Sequence, residues 1–153
     1  MTDVLSPAQR KLNMSRIHGK DTKPEMTLRR ALYAHGVRYR LHRRDLPGCP
    51  DIVFMSRKTV IFVHGCFWHG HSCSMFKMPS TRKEFWEEKI AQNQRRDNAA
   101  IQALAEQGWR VCIVWECSMR GPNKQSISEL VNSIVDWLSA FENRRISFPS
   151  TSR

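Results

Sequence analysis

The feature that most constrains this chain is the stretch His64-Gly65-Cys66-Phe67-Trp68-His69-Gly70-His71-Ser72-Cys73, where three imidazoles and two thiols surround two adjacent aromatic rings. It follows Thr59-Val60-Ile61-Phe62-Val63, an apolar run that reads as a central strand covered on both faces. Between Val63 and Thr81 aliphatic side chains are few, so hydrophobic burial alone cannot fix the segment. Cys66, His71 and Cys73 with one remote thiol can supply the four nitrogen and sulfur ligands of a closed structural zinc site, and Cys117, at the end of a later strand, can tie the loop back to the sheet. The competing reading is a set of buried thiols beside a surface histidine. Zinc is favoured because it supplies the rigidity the loop otherwise lacks. His64 and His69 are then left for other chemistry.

The 153 residues fit one ordinary domain, and a hydrophobic share of 41% is normal for a soluble globule. No apolar stretch approaches the roughly twenty residues of a membrane-crossing helix, and Met1-Thr2-Asp3-Val4 lacks the basic-then-apolar layout of a secretory signal. A cytoplasmic location is expected. There, five cysteines serve as metal ligands or buried thiols rather than disulfides, so Cys49 and Cys112 need no role beyond packing. The 25 Lys and Arg against 14 Asp and Glu give +11, and residues 1–44 carry eleven of the basic but only three of the acidic side chains. Such a segment favours a polyanion, nucleic acid first, because neutralised phosphates release counterions. A merely soluble basic surface is the alternative. An acidic membrane is disfavoured, since no basic amphipathic helix opens the chain.

The element order is mixed α/β. Residues 1–21 read as a basic polar arm that orders on binding, residues 22–141 as the folded domain, and residues 142–153 as a flexible tail. Thr22-Lys23-Pro24-Glu25 starts a helix that Met26, Leu28, Leu32 and Tyr33 continue to Gly36. Val37–Leu41 alternates like a half-buried strand, and the turn cluster Pro47-Gly48-Cys49-Pro50 delivers Asp51 to the strand Ile52–Met55, which pairs with Thr59–Val63 as a hairpin. Thr81-Arg82-Lys83-Glu84 reads as a capping box opening a long helix to Gln107, with Ile90, Ile101 and Leu104 toward the core. Trp109–Trp115 is a strand whose two tryptophans read as core. Ser126-Ile127-Ser128-Glu129 caps a final helix with Ile127, Leu130, Val131, Ile134, Val135 and Leu138 on one stripe.

Asp51, at the start of one hairpin strand, faces the place where the partner strand ends in Val63 and His64. A carboxylate there suits magnesium, which prefers oxygen ligands and keeps water for phosphate chemistry. Nearby histidines can orient a water or move a proton, and Glu25 can position one of them. Taken singly, a turn-capping Asp51, a solvated Glu25 and a packed His64 are the blander readings. Taken together with the basic arm and the held loop, they favour phosphodiester hydrolysis.

Asp21-Thr22, Leu46-Pro47-Gly48-Cys49-Pro50-Asp51, Val60 to His69, Glu84-Phe85-Trp86 and Gly108-Trp109-Arg110-Val111 resemble the very short patch repair endonucleases, over roughly residues 8–122. The resemblance implies a bacterial enzyme with a restriction-endonuclease-like fold, a central mixed sheet flanked by helices. It implies a monomer that acts on double-stranded DNA at a thymine opposite guanine, left by deamination of 5-methylcytosine. The family nicks the thymine strand on the 5′ side, with further repair proteins as possible partners. Carried onto this sequence, Asp51 and the main-chain carbonyl of Val63 hold magnesium, His69 acts on the attacking water with support from Glu25, and His64 assists at the scissile phosphate. Cys66, His71, Cys73 and Cys117 hold zinc. The strand after Asp51 lacks the Glu-x-Lys or Asp-x-Lys of many restriction enzymes, so their generic roles do not transfer.

Phe67 and Trp68 on the metal-held loop and Trp86 on the next helix can meet one DNA step, and unstacking costs least at a mismatch. A hydrophobic core role for Trp86 is the alternative. Met14 and the arm can clamp the opposite groove, and Lys89, Asn93 and Arg120 are candidate DNA contacts. The rivals to the nuclease are a zinc-stabilised DNA-binding module without catalysis and a nuclease that prefers RNA.

Overall fold

The computed structural model describes residues 22–121, 124–140 and 144–149, so the expected arm and Met14 lie outside the described residues. In chain order the described elements are α1 (Lys23–Ala34), β1 (Arg40–Leu41), β2 (Ile52–Phe54), β3 (Thr59–His64), α2 (Lys83–Glu106), β4 (Arg110–Trp115), α3 (Ile127–Ser139) and β5 (Arg145–Phe148). The strands form one sheet in the order β1-β2-β3-β4-β5. The β1/β2 and β2/β3 pairs are antiparallel, whereas β3/β4 and β4/β5 are parallel. The expected mixed α/β architecture is thus present, with β3 at its centre.

Strand side chains alternate between faces, and the two faces bury different helices. Ile52, Ile61, Cys112 and Val114 pack with Leu28 and Leu32 of α1 and Leu130, Ile134 and Leu138 of α3. Val53, Val60, Phe62, Val111 and Ile113 pack with Ile101 and Leu104 of α2. Each fully buried aliphatic side chain contributes about 1.5–3 kcal/mol. Arg110 and Arg57 donate to the main-chain oxygens of Trp137 (2.8 Å) and Leu138 (2.9 Å), which satisfies carbonyls in the last turn of α3.

Local signals hold at two helix starts and fail at the third. Thr22 and Ser126 accept from the amides of Glu25 (3.4 Å) and Glu129 (3.1 Å), as capping residues do. At α2 the residue before the helix is Arg82, left-handed at φ 53°, with no side-chain cap. Thr81 therefore stands one residue too early to cap. Of the expected strand Val37–Leu41 only Arg40 and Leu41 pair, with Val53 and Ile52.

The segment expected as a flexible tail contributes β5, which pairs with β4 from Val111↔Arg145 to Val114↔Phe148. Phe148 is buried in the core shared with α1 and α3, so the sheet runs past the expected boundary at 141. Arg145-Ile146-Ser147-Phe148 alternates, but over four residues between polar neighbours the pattern is too short to stand out. Tyr33 is exposed, as is Cys49, expected to pack. Among the described residues no helix is long and apolar enough to cross a membrane.

Candidate active site and metal centre

The parallel pairing of β3 with β4 explains how a remote thiol reaches the cysteine and histidine loop. In register, His64 lies beside Trp115 at the carboxyl ends of the two strands. Two residues on, the same offset of 51 positions brings Cys117 to Cys66, and the Cys117 amide donates to Cys66 Sγ at 3.3 Å. The His71 amide returns to the Cys66 carbonyl (2.9 Å), folding the loop so that Cys66, His71, Cys73 and Cys117 each present a ligand atom within 4.8 Å of the others. His71 Nδ1 stands 3.5 Å from Cys117 Sγ. Bonds of about 2.3 Å to sulfur and 2.0 Å to nitrogen at a tetrahedral angle place two such ligands ~3.5 Å apart. The donor set therefore fits zinc.

Burial pushes the Cys66 thiol well above its ordinary range, the Cys117 thiol above it and the His71 imidazole below its own. Without a cation the thiols hold their protons, and a cation binding there releases them. Trp115, expected in the core, is only half-buried and stacks on His71, with ring centres 4.0 Å apart and planes 8° apart.

Beside this cluster lies a cleft of about 330 Å³ between α2 and the sheet, lined by Cys49, Asp51, Val63, His64, His69, Asn93, Arg96 and Asp97 among others. The rings of His64 and His69 stack at 3.9 Å with 3° between planes. His69 Nδ1 bonds Asp97 Oδ2 at 2.5 Å. An ionised Asp97 requires the hydrogen on Nδ1, which leaves the Nε2 lone pair free to accept a proton. His64 is buried and its Nδ1 has no hydrogen-bond partner. Burial, then the neighbouring His69, pushes its pKa down to about 3, so in the free protein it is a neutral ring.

Asp51 stands at the entry to β2, where it borders both faces of the sheet. Its Oδ2 accepts from the Val63 amide at 2.7 Å. In a strand the N–H and C=O of one residue point to the same edge, so the Val63 carbonyl is directed toward this side too. Asp51 lines the cleft of His64 and His69 on the α2 side, and it also groups with Glu25 and His42 on the α1 side. Burial, and next the Glu25 carboxylate working against the Val63 amide, pushes the Asp51 carboxyl up to about 8. A protonated or cation-bound Asp51 is the consequence at neutral pH.

Glu25, read as solvated or as the support of His69, is 1% exposed and pairs with His42 (2.8 Å) and Arg29 (3.1 Å). The carboxylate on His69 belongs to Asp97. Asn93, expected at DNA, donates its side-chain amide to the Trp68 carbonyl (2.8 Å) and so holds the loop. Gln94 reaches the His69 and Gly70 carbonyls at 3.3 and 3.4 Å. Gly70 allows this approach: its φ is 63°, and a Cβ there would lie 2.4 Å from Gln94 Nε2 and 2.7 Å from Ile90 Cγ2. Arg120 is exposed and pairs with Glu116 at 3.1 Å, while Lys89 is half-buried on α2.

Phe67, Trp68 and Trp86 do come together, with ring centres 5.2 to 5.7 Å apart in edge-on contacts, and Phe76 stacks on Phe67 at 6.0 Å. All four rings are half-buried, and Phe85 beside Trp86 is 46% exposed. This is an aromatic surface rather than a closed core. Sequence reading missed Asp97, His42 and Arg96. For Asp97 a signal existed: Ile90, Asn93, Asp97, Ile101 and Leu104 follow helical spacing, so Asn93 and Asp97 share the side of the helix that carries its apolar residues. His42 carries no such signal.

Comparison with known proteins agrees with this geometry. Residues 2–75 match the family model described as DNA mismatch endonuclease Vsr. A type II nicking enzyme, V.XorIIP of Xanthomonas oryzae pv. oryzae, is 51% identical over 119 residues, covering 78% of this chain and 88% of its own. The DNA mismatch endonuclease Vsr of Escherichia coli is 46% identical over 138 residues, 90% of this chain and 88% of that one. The type II nicking enzyme V.NmeAIP of Neisseria meningitidis is 42% identical over 135 residues, covering 88% and 95%. With relatives 42–51% identical over most of this chain and of their own, this chain belongs to the DNA mismatch endonuclease Vsr family.

Proposed function

We propose that this protein nicks double-stranded DNA 5′ of the thymine in a thymine–guanine mismatch, using magnesium for hydrolysis and zinc for architecture. The observation that carries the reading is the convergence of Asp51, His64, His69 and Asp97 on one open cleft at the carboxyl end of β3. The names of the relatives, mismatch endonuclease and nicking enzyme, supply the reaction class and its restriction to one strand.

Asp51 and the Val63 carbonyl would hold magnesium, whose bound state supplies charge neutralisation at the phosphate and an acidified water. His69 Nε2 takes the proton of the attacking water while Asp97 fixes the ring and stabilises the imidazolium that forms. One phosphorus–oxygen bond forms to the water oxygen and one breaks to the sugar oxygen, which leaves and takes a proton from solvent water. His64, neutral and stacked on His69, donates a hydrogen bond to the scissile phosphate rather than a full proton. Arg96, exposed at the mouth of the cleft, neutralises a backbone phosphate.

Cys66, His71, Cys73 and Cys117 would hold zinc and thereby fix the loop that carries His69, Phe67 and Trp68. Phe67, Trp68 and Trp86 enter the base stack, where a mismatch lowers the unstacking cost by a fraction of a few kcal/mol. Strand-resolved cleavage of a duplex with one thymine–guanine mismatch, beside its fully paired version, tests the reading. Magnesium-dependent cutting confined to the thymine strand is expected. Binding without cutting would instead identify a zinc-stabilised binding module, and equal cutting of both duplexes would remove mismatch specificity.

A further inference from the structure

In the reaction above His64 presents a hydrogen bond to the scissile phosphate, yet its own structure does little to aim the ring. The torsion that turns an imidazole about its stem is soft. His69 is oriented by its bond to Asp97, whereas His64 Nδ1 is buried with no hydrogen-bond partner among the described residues. What surrounds His64 is rings: His69 stacked at 3.9 Å, Phe62 tilted by 48° at 5.7 Å, and Trp115 at 5.2 Å with 72° between planes. Trp115 also stands 6.3 Å from His69, again at 72°, and lies flat on His71 at 4.0 Å. One indole thus meets all three imidazoles of the His64–Cys73 loop. The histidine pair borders two clefts, the catalytic one beside Asp51 and a second of about 520 Å³ on the β4 side, and of these Trp115 lines the second. Trp115 is itself well anchored. The parallel register sets it beside His64, Ser118 Oγ donates to its carbonyl at 2.7 Å, and two residues on Cys117 joins the closed cluster.

We propose that Trp115 is a positioning residue for the nicking reaction: set between His71 of the closed cluster and the His64 and His69 pair, its flat ring fixes the plane of His64 and keeps the stacked pair aimed into the catalytic cleft. The inference rests on the reading of His64 and His69 as groups at the reacting phosphate. Trp115 acts through these two histidines and not on the phosphate itself. Aromatic rings favour edge-on and offset contacts, so an indole clamped by His71 resists rotation of the rings that abut it. An aliphatic side chain can fill the same space, but it has no plane to lie on His71 while standing across His64 and His69. A displacement of about 1 Å in a reacting group can cost on the order of 10²-fold in rate. The loss of Trp115 should therefore appear in the chemical step and leave affinity for DNA unchanged.

The test is single-turnover nicking of the thymine–guanine duplex at saturating, zinc-loaded full chain, with the Kd for the same duplex measured without magnesium, in wild type, Trp115→Phe and Trp115→Leu. Trp115→Leu should slow saturated nicking by about 10- to 100-fold. Its Kd should stay within about twofold of wild type, and its zinc should stay stoichiometric. Trp115→Phe keeps a plane and should bring the rate back to within about fivefold of wild type. If Trp115→Leu loses zinc or melts early, Trp115→Met, which fills the space flexibly without a plane, carries the comparison with the same expected loss. Wild-type rates in the aliphatic variant, or equal losses in Trp115→Phe and Trp115→Leu, overturn the positioning role. Weaker binding with an unchanged saturated rate would make Trp115 a DNA contact and overturn it as well. A wild type that fails to nick refutes the mismatch reading and this inference with it, whereas a wild type that nicks beside equally fast variants refutes the inference alone.

Discussion

Two donor clusters meet at the carboxyl end of β3, and they differ in what their atoms face. In the first, Cys66, His71, Cys73 and Cys117 face one another, with two of the thiols buried. In the second, His64, His69 and Asp97 face a cleft of about 330 Å³ shared with Asp51, and one buried nitrogen of His64 has no partner. Closed donor sets suit structural metals and open ones suit chemistry. One strand end thus carries an anchor and a reactive site a few residues apart, and the anchor fixes the loop on which the reactive His69 rides.

The strongest way to break the comparison is to open the closed cluster. Cys66→Ser should lose stoichiometric zinc and lower the melting temperature sharply, with a stability loss of at least several kcal/mol and loss of nicking as the loop comes free. Metal analysis and calorimetry check it; a variant that keeps its melting temperature without zinc would mean that the loop folds by itself. Next is the open site. His69→Ala should slow nicking by roughly 10²–10⁴-fold at unchanged zinc content and melting temperature. Asp97→Asn should cost about 10- to 100-fold, the worth of one charged hydrogen bond, and show in the pH profile of single-turnover nicking as a shifted basic group. An unaltered profile would deny Asp97 its hold on His69.

Asp51 sharpens the contrast through pH. Its folded pKa is raised by burial, so in metal-free protein its contribution to stability is present at low pH and is lost as pH rises toward about 8. Melting without added magnesium should therefore weaken between about pH 5 and about pH 8, and Asp51→Asn should flatten that slope. An identical slope in both proteins would place the cause elsewhere. The smallest expected effect is at Gly70. Gly70→Ala meets Gln94 and Ile90 at a positive φ and should destabilise by about 1–3 kcal/mol, with a modest loss of rate as the His69 loop shifts.

What the sequence made legible follows what is local. The ligand types between His64 and Cys73, the hairpin that brings Asp51 opposite Val63, and the stripe of α3 each depend on short spacing, and each is found. Cys117 could be proposed from its place at a strand end, but the reason it meets Cys66 is the parallel register of β3 and β4. Asp97 is hard to single out because a lone carboxylate on a mostly polar helix reads as a solvated side chain until the fold sets it against His69. His42 was hidden more deeply, since its partners Glu25 and Asp51 come from other elements and only the fold brings them together. Phe148 and β5 escaped because four alternating residues give too little signal against a polar background.

The claim that the two clusters have separate jobs is tested most directly by measuring zinc content and mismatch nicking together in Asp51→Asn. The account predicts one equivalent of zinc and a folded protein, with nicking reduced roughly 10³-fold or more as the cation that neutralises the phosphate is lost. Normal nicking, or loss of zinc along with activity, would contradict it.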